Sequence, residues 1–220
     1  MATFCSLRFR SKASATALAC ALALAGCKGS GEPAPKPESK LHRFAFKDVE
    51  GNRPKGSSLP GEDCDLLAPD GQTVKLSSMR GKPIVLVFNR GFVGFVCPYC
   101  TTYTAQLATR YEELKKLGAE VVLVYPVKEE DQAKREEFKA AVDEILREEG
   151  QAGLPFPVFL DSGLAAVTKF NLTGDLSKPS TFVLDATGKI HYAYVGEAPD
   201  ERPTVQRIVE EVQRLQGAGK

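Results

Sequence analysis

Runs of apolar residues predict the strands of the chain. Two short runs, at 64–67 and 73–76, flank a Pro-Asp-Gly turn and predict a β-hairpin. The near-continuous apolar, β-branched run at 82–89 is typical of a central strand covered on both faces, and 119–125 predicts a second buried strand. These two runs are expected to form the centre of a sheet.

Apolar residues spaced by three and four positions predict the helices. Long helices are expected over 101–117 and 131–149, each followed by a glycine, and a terminal helix carries apolar residues from Val205 to Leu215. A short helix and three further strands are expected between the last two of these, at 163–170, 157–160, 181–185 and 189–195.

The order of the elements predicts the fold class. A strand, helix, strand, helix order requires a parallel sheet with right-handed crossovers, and the later hairpin adds antiparallel strands. The sequence therefore predicts an α/β sandwich around a mixed sheet, preceded by a β-hairpin, in one domain over residues 59–217.

The first residues have the pattern of a targeting signal. Arg8, Arg10 and Lys12 precede an apolar run over 13–25, which is too short to span a bilayer and meets Gly26-Cys27. Leu24-Ala25-Gly26-Cys27 resembles a bacterial lipobox, in which the cysteine is acylated after cleavage. We therefore expect a signal peptide over 1–26 and lipidation of Cys27; the alternative is an ordinary cleaved signal in which Cys27 has no role.

The predicted processing sets the location and the charge of the protein. Residues 27–58 are expected to form a lipidated, flexible tether, which would attach the domain to the extracytoplasmic side of a bacterial membrane, in the periplasm or at the cell surface. Loss of the three basic residues leaves 26 basic against 28 acidic residues, a balance that does not suit nucleic acid binding.

Three cysteines remain as thiols after this processing, and two of them form the segment Cys97-Pro98-Tyr99-Cys100. The segment follows a core strand and precedes a helix, so Cys97 is expected at the helix N-terminus, where backbone N–H groups and the helix dipole stabilise a thiolate. Pro98 suits the first helical position, and the spacing allows Cys100 to close a disulfide with Cys97. Zinc half-sites and inert buried thiols are the alternatives, although zinc needs two further ligands and only Cys64, His42 and His191 are available.

Several segments resemble the alkyl hydroperoxide reductase and thiol-specific antioxidant family, the peroxiredoxin-like redoxins of the thioredoxin superfamily. The resemblance covers about residues 59–216 and rests on 82–92, Cys97-Pro98-Tyr99-Cys100, 114–122, 154–161 and 178–185. It implies a thioredoxin-like three-layer sandwich with the cysteines at the start of a long helix. It also implies that Pro179, before the later hairpin, faces the cysteines.

The chain departs from the family pattern beside the cysteines. If Cys97 is the peroxide-reactive cysteine, Arg90 and Gly94 occupy the positions of the family's proline and of its threonine or serine. On this alignment Lys178 replaces the family's arginine, which gives charge without a planar fork of donors. Cys-Pro-Tyr-Cys is the dithiol motif of glutaredoxins, and Arg90 either stabilises the thiolate or is a solvated loop cation.

These observations predict a thiol-dependent oxidoreductase without a bound cofactor. Cys97 would attack a peroxide or a protein disulfide, Cys100 would resolve the intermediate, and a thiol/disulfide electron donor protein would reduce the pair. Pro98, Tyr99, Arg90, Pro179 and Lys178 would form the environment of the thiolate. The alternatives are a copper or zinc handling module and a non-catalytic thioredoxin-like interaction domain.

Overall fold

The two continuous apolar runs form neighbouring parallel strands in the middle of a seven-stranded sheet. The structure is a computed structural model that describes residues 39–59, 63–129 and 131–217. All five residues of the strand over 84–88 are buried, as a strand covered on both faces requires. The strands are β1 (Asp65–Leu67), β2 (Thr73–Lys75), β3 (Ile84–Phe88), β4 (Glu120–Val127), β5 (Val158–Ser162), β6 (Ser180–Leu184) and β7 (Ile190–Val195).

The sheet has the order β2-β1-β5-β4-β3-β6-β7 and is mixed. β3, β4 and β5 run parallel, whereas β1 pairs antiparallel with β2 and β5, and β6 pairs antiparallel with β3 and β7. The predicted fold class is therefore confirmed, including the first hairpin and the mixed sheet.

Helices cover both faces of the sheet, which gives three layers. One apolar cluster joins the sheet to α1, α3 and α5, and a second cluster on the other face joins it to α4. No helix in the described ranges is long and apolar enough to cross a bilayer. The helices are α1 (Pro98–Thr109), α2 (Tyr111–Lys116), α3 (Gln132–Glu148), α4 (Ala165–Lys169) and α5 (Val205–Gly217).

The predicted helix over 101–117 is two helices. At Arg110 the backbone leaves the helical conformation (φ −108°, ψ 6°), and the N–H of Arg110 donates to the carbonyl of Leu107 over 3.1 Å. Leu107 before the break and Leu114 after it lie in the same apolar cluster. The apolar spacing continues across the break, so the pattern alone does not reveal it.

The tether predicted for 27–58 is wrong from Ser39 onward. Leu41 and Phe46 are buried against α1, with 7% and 9% of their surfaces exposed. Further along, the backbone of Asn52 donates to the carbonyl of Ala193, and that of Gly56 donates to the carbonyl of Ile190, so this stretch pairs with β7. The prediction failed because single apolar residues separated by polar ones show neither helical nor strand periodicity. The predicted signal peptide and Cys27 lie outside the described residues.

A close approach between two backbone segments fixes the loop that leads from β3 to the cysteines. Gly91 has φ +89°, and a Cβ built there would lie 2.3 Å from the carbonyl oxygen of Pro126 in β4. The N–H of Phe92 donates to the same oxygen over 3.2 Å. Only glycine allows this contact, because a side chain would collide with backbone atoms that cannot move aside.

We predict that Gly91→Ala lowers the free energy of unfolding by about 3 kcal/mol or more, since it adds a backbone collision to the strain of a positive φ. Urea denaturation of the reduced protein measures the change. Gly94→Ala is the matched control: Gly94 also has a positive φ (+97°) but nothing lies within 4 Å of its built Cβ, so the expected cost is about 1 kcal/mol. Equal costs for the two variants would contradict this account of the loop.

Candidate active site

Cys97 is the N-cap residue of α1, and Pro98 occupies the first turn, as the sequence predicts. Its backbone is extended (φ −67°, ψ 119°), so the chain arrives from the loop and turns into the helix at this residue. The backbone N–H groups of Tyr99 and Cys100, in the first turn of the helix, help to lower the pKa of Cys97. These are the N–H groups that a helix start leaves without backbone partners.

The sulfur of Cys97 accepts a hydrogen bond from the thiol of Cys100. That bond is the largest contribution to a pKa of Cys97 lowered to about 6; burial opposes it, and the two backbone N–H groups and the charge of Arg202 add to it. Cys97 is only 1% exposed. At neutral pH it is therefore a thiolate inside the protein.

Cys100 is fully buried, and its pKa is shifted in the opposite direction from that of Cys97. Burial and the hydrogen bond that it gives to Cys97 raise its pKa well above the ordinary thiol value. Its sulfur nevertheless receives donors from two directions, the backbone N–H of Arg90 and the Nη2 of Arg202 at 3.2 Å. Cys97, Cys100 and Cys64 are free thiols in the structure.

Arg202, in the segment between β7 and α5, is the functional residue that the sequence analysis missed. Its side chain is 1% exposed. The Nε donates to the carbonyl of Pro199 (3.1 Å) and the Nη1 to the Oδ1 of Asn89 (3.4 Å). Its guanidinium lies over the ring of Tyr103, 5.0 Å from the ring centroid. No motif surrounds Arg202 in the sequence, so only the fold reveals its place beside the cysteines.

Two neutral hydrogen-bonded pairs fix the residues that hold Arg202. The hydroxyl of Tyr103 lies 3.2 Å from the hydroxyl of Thr181 in β6, and burial raises the pKa of Tyr103 to about 12, so the ring stays neutral. Asn89 is fully buried at the end of β3, and its Nδ2 donates to the Oγ1 of Thr104 over 3.4 Å. The guanidinium is thereby oriented by helix α1 and by the sheet together.

The other predicted site residues take different places. Arg90 forms an ion pair with Asp175, which raises the pKa of Arg90, and the nearby cysteines add a smaller contribution in the same direction. Tyr99 stacks on Phe44 with the ring centroids 4.0 Å apart. Pro179 is buried directly before β6.

Lys178, the predicted replacement of the family's arginine, does not form the cation contact seen at the cysteines. The Nζ of Lys178 lies 2.7 Å from a carboxylate oxygen of Glu197, whereas the cation in contact with a cysteine sulfur is Arg202. Lys178 precedes the later hairpin, β6 and β7, whereas Arg202 reaches the site from beyond it.

Neither Cys64 nor a metal site adds to the dithiol in the described part of the chain. Cys64 lies in the apolar cluster on the opposite side of the sheet, and burial raises its pKa to about 12. Within residues 39–59, 63–129 and 131–217, no group of three or more histidine, cysteine, aspartate or glutamate residues could hold a metal ion.

Comparison with known proteins identifies the family. The AhpC/TSA family matches residues 58–193, which is more than half of the chain. The chain belongs to the AhpC/TSA family. Peroxiredoxin Q of wheat (Triticum aestivum), a chloroplastic protein, is 31% identical over 158 residues, which are 70% of this chain and 64% of that protein. Peroxiredoxin Q of rice (Oryza sativa subsp. japonica) is 30% identical with the same coverage, so the chain matches less than two thirds of the length of these relatives.

Solved structures confirm the thioredoxin-like fold of this AhpC/TSA member. A yeast mitochondrial 1-Cys peroxiredoxin superposes with a TM-score of 0.61 at 18% identity, over 76% of this chain and 78% of that one. The peroxidoxin BcpB of Mycobacterium tuberculosis gives 0.53 at 16% identity, over 77% and 98%. The family match ends at residue 193, so Arg202 lies outside the matched segment.

We predict that Arg202→Met raises the pKa of Cys97 by about one unit, because it removes a buried cation that favours the thiolate. The rate of alkylation of Cys97 by iodoacetamide, followed from pH 4.5 to 9, measures the change. In the wild-type protein the rate should rise with pH to a plateau with a midpoint near 6. Lys178→Met is the control and should leave the midpoint in place. An unmoved midpoint in Arg202→Met would show that the guanidinium does not act on the dithiol.

Proposed function

We propose that the chain is a thiol-dependent peroxidase in which Cys97 is the attacking cysteine and Cys100 the resolving cysteine. The observation that carries the proposal is the N-cap position of Cys97, where the Cys100 thiol and the first backbone N–H groups of the helix lower its pKa to about 6. Membership of a family whose matched relatives are peroxiredoxins supports the same chemistry.

The first step forms a sulfenic acid. The thiolate of Cys97 attacks one oxygen of a hydroperoxide, the O–O bond breaks, and the leaving alkoxide or hydroxide takes a proton and departs as an alcohol or water. The sulfur of Cys97 is oxidised by two electrons and the peroxide is reduced by two. No bound cofactor takes part.

The second step forms the disulfide. Cys100 loses its proton and attacks the sulfur of the sulfenic acid, which releases water and leaves Cys97 and Cys100 bonded. Arg202, 3.2 Å from the sulfur of Cys100, would stabilise the thiolate that this step requires. A thiol donor protein then reduces the disulfide by exchange. The yeast structural neighbour is resolved through glutathione and thioredoxin systems, and we propose a donor that acts by the same thiol–disulfide exchange here.

Reduction of protein disulfides is the second candidate. The motif Cys97-Pro98-Tyr99-Cys100 at a helix start favours it, because a low-pKa thiolate with a resolving partner three residues later is the arrangement of disulfide oxidoreductases. Gly94, at the place of the family's hydroxyl-bearing residue, also favours exchange over peroxide reduction.

Stopped-flow oxidation of the reduced protein by hydrogen peroxide separates the two candidates. At pH 7 a cysteine with a pKa of about 6 is about 30-fold more ionised than one with the ordinary pKa of about 8.5. A peroxidase should therefore react more than about 30-fold faster than free cysteine, since the site must also activate the peroxide. A reaction with peroxide no more than about 30-fold faster than that of free cysteine would contradict the peroxidase proposal and leave disulfide exchange.

Two serine variants assign the roles of the cysteines in the same experiment. Cys97→Ser should abolish the fast reaction. Cys100→Ser should retain peroxide-dependent oxidation of Cys97 but stop at the sulfenic acid, which dimedone labels. Fast oxidation in Cys97→Ser would reverse the assignment.

We further propose that the protein is lipid-anchored through Cys27 on the extracytoplasmic side of a bacterial membrane. The basic stretch, the apolar run and the lipobox-like Leu24-Ala25-Gly26-Cys27 support this proposal. Mass spectrometry of the membrane fraction should find a mature N-terminus at Cys27 that carries acyl chains, and Cys27→Ser should release the protein from the membrane. An unmodified, soluble mature form would contradict the anchor.

A further inference from the structure

Residues 40–47 lie along the active-site helix, and we call them the N-terminal strap. They contact the side of α1 that carries Tyr99, Thr102, Tyr103 and Gln106, which are spaced so that they share one helical face. The side-chain amide of Gln106 donates to the carbonyls of Leu41 (2.8 Å) and Phe44 (3.1 Å). The strap is thus attached to the helix by backbone acceptors, aromatic rings and the buried Leu41.

One residue of the strap reaches the group that touches the dithiol. The ring of Phe46 packs edge-on against the ring of Tyr103, with the centroids 5.0 Å apart. The Tyr103 ring in turn lies under the guanidinium of Arg202, whose Nη2 contacts the sulfur of Cys100. A continuous series of contacts therefore joins the strap to the cysteine pair.

The strap also meets the segment of Arg202 through the backbone. Lys47 forms a parallel bridge with Pro203, and the N–H of Thr204 donates to the carbonyl of Lys47 over 3.0 Å. Arg202 therefore directly precedes the residue that bridges to the strap. Its guanidinium also packs on the Tyr103 ring, which the strap contacts through Phe46. Arg202 is only 1% exposed, and the strap is part of what covers it. This cover matters because a guanidinium in contact with water loses most of its electrostatic effect on a nearby thiolate.

We propose that Phe46 is a positioning residue that holds Tyr103 against Arg202. It thereby excludes water from the guanidinium where it contacts the sulfur of Cys100. This inference rests on the proposed thiol chemistry of Cys97 and Cys100. It assigns a part of the site to a strap whose residues precede the segment matched by the family. Cation–π contacts are stronger when water is excluded, so loss of the Phe46 ring would weaken the Tyr103 contact as well as hydrate Arg202.

Other charged and titratable groups also face the dithiol and define the background of the test. The cysteines contribute to the raised pKa of Arg90, and they add to the effect of burial in raising the pKa of Tyr125 in β4. Phe46 forms its ring contact with Tyr103 and not with these groups. A change of pH dependence on altering Phe46 is therefore expected to arise through Arg202.

The test is the pH profile of iodoacetamide alkylation of Cys97 in the reduced full chain, with the modified cysteine identified by peptide mass spectrometry. Phe46→Ala should move the midpoint up by about one unit, which makes alkylation about fivefold slower at pH 6 and unchanged at pH 9. Phe46→Tyr retains the ring and should restore the wild-type profile. A midpoint in Phe46→Ala equal to that of the wild type would overturn the proposal.

Two further variants separate positioning from loss of stability. Leu41→Ala removes buried apolar area from the same strap but keeps the ring of Phe46 that packs on Tyr103, and its midpoint should stay near that of the wild type. A shift as large as that of Phe46→Ala would show that the strap acts as a unit and would refute a specific role of Phe46. If Phe46 acts through Arg202, the double variant Phe46→Ala/Arg202→Met should have the midpoint of Arg202→Met alone. Additive shifts would also refute the proposal.

These outcomes are independent of the proposed peroxidase activity. The alkylation profile needs no peroxide, so a slow reaction with peroxide would remove the peroxidase proposal and leave the role of Phe46 standing. An unmoved midpoint in Phe46→Ala would remove the role of Phe46 and leave the peroxide kinetics unaffected.

Discussion

The contact between the guanidinium of Arg202 and the sulfur of Cys100 is the interaction on which the site depends. A charge that is 99% buried is costly unless it is paired or well hydrogen-bonded, and the contacts seen for Arg202 are two neutral oxygens, an aromatic ring and a thiol sulfur. Among these contacts only the cysteine pair can supply a negative charge. The fold therefore favours one shared negative charge on the two sulfurs, and the hydrogen bond from Cys100 places it on Cys97.

The same charge balance affects the redox equilibrium. Formation of the proposed Cys97–Cys100 disulfide would remove the negative charge and leave Arg202 with neutral partners only. The oxidised state would thereby be destabilised relative to the reduced state, and the reduction potential of the pair would shift towards the oxidising side. Such a shift would favour the return of the pair to the dithiol, as the proposed cycle requires.

The sequence predicts the part of the site that depends on local order along the chain. Cys97 lies at a helix start and Pro98 in the first turn because a buried strand, a loop and a helix follow one another there. Arg202 could not be predicted in this way, since it meets Cys100 only when the segment after β7 folds back over α1. Lys178 stays a prediction as the replacement of the family's arginine, and its own partner is Glu197. The sequence predicts a tether at the strap because Leu41 and Phe46 show their role only beside the helix that buries them.

The departure of this chain from its family beside the cysteines has a physical counterpart in the structure. Gly94 stands where the family has a hydroxyl three residues before the attacking cysteine, so that donor is missing. The thiol of Cys100, three residues after Cys97, donates a hydrogen bond to the same sulfur, and this bond is the largest cause of the low pKa of Cys97. In the proposed reaction, this one thiol would stabilise the thiolate before the attack and provide the resolving sulfur after it. Because formation of the disulfide would consume the donor, the activation of Cys97 would be tied to the reduced state of the pair.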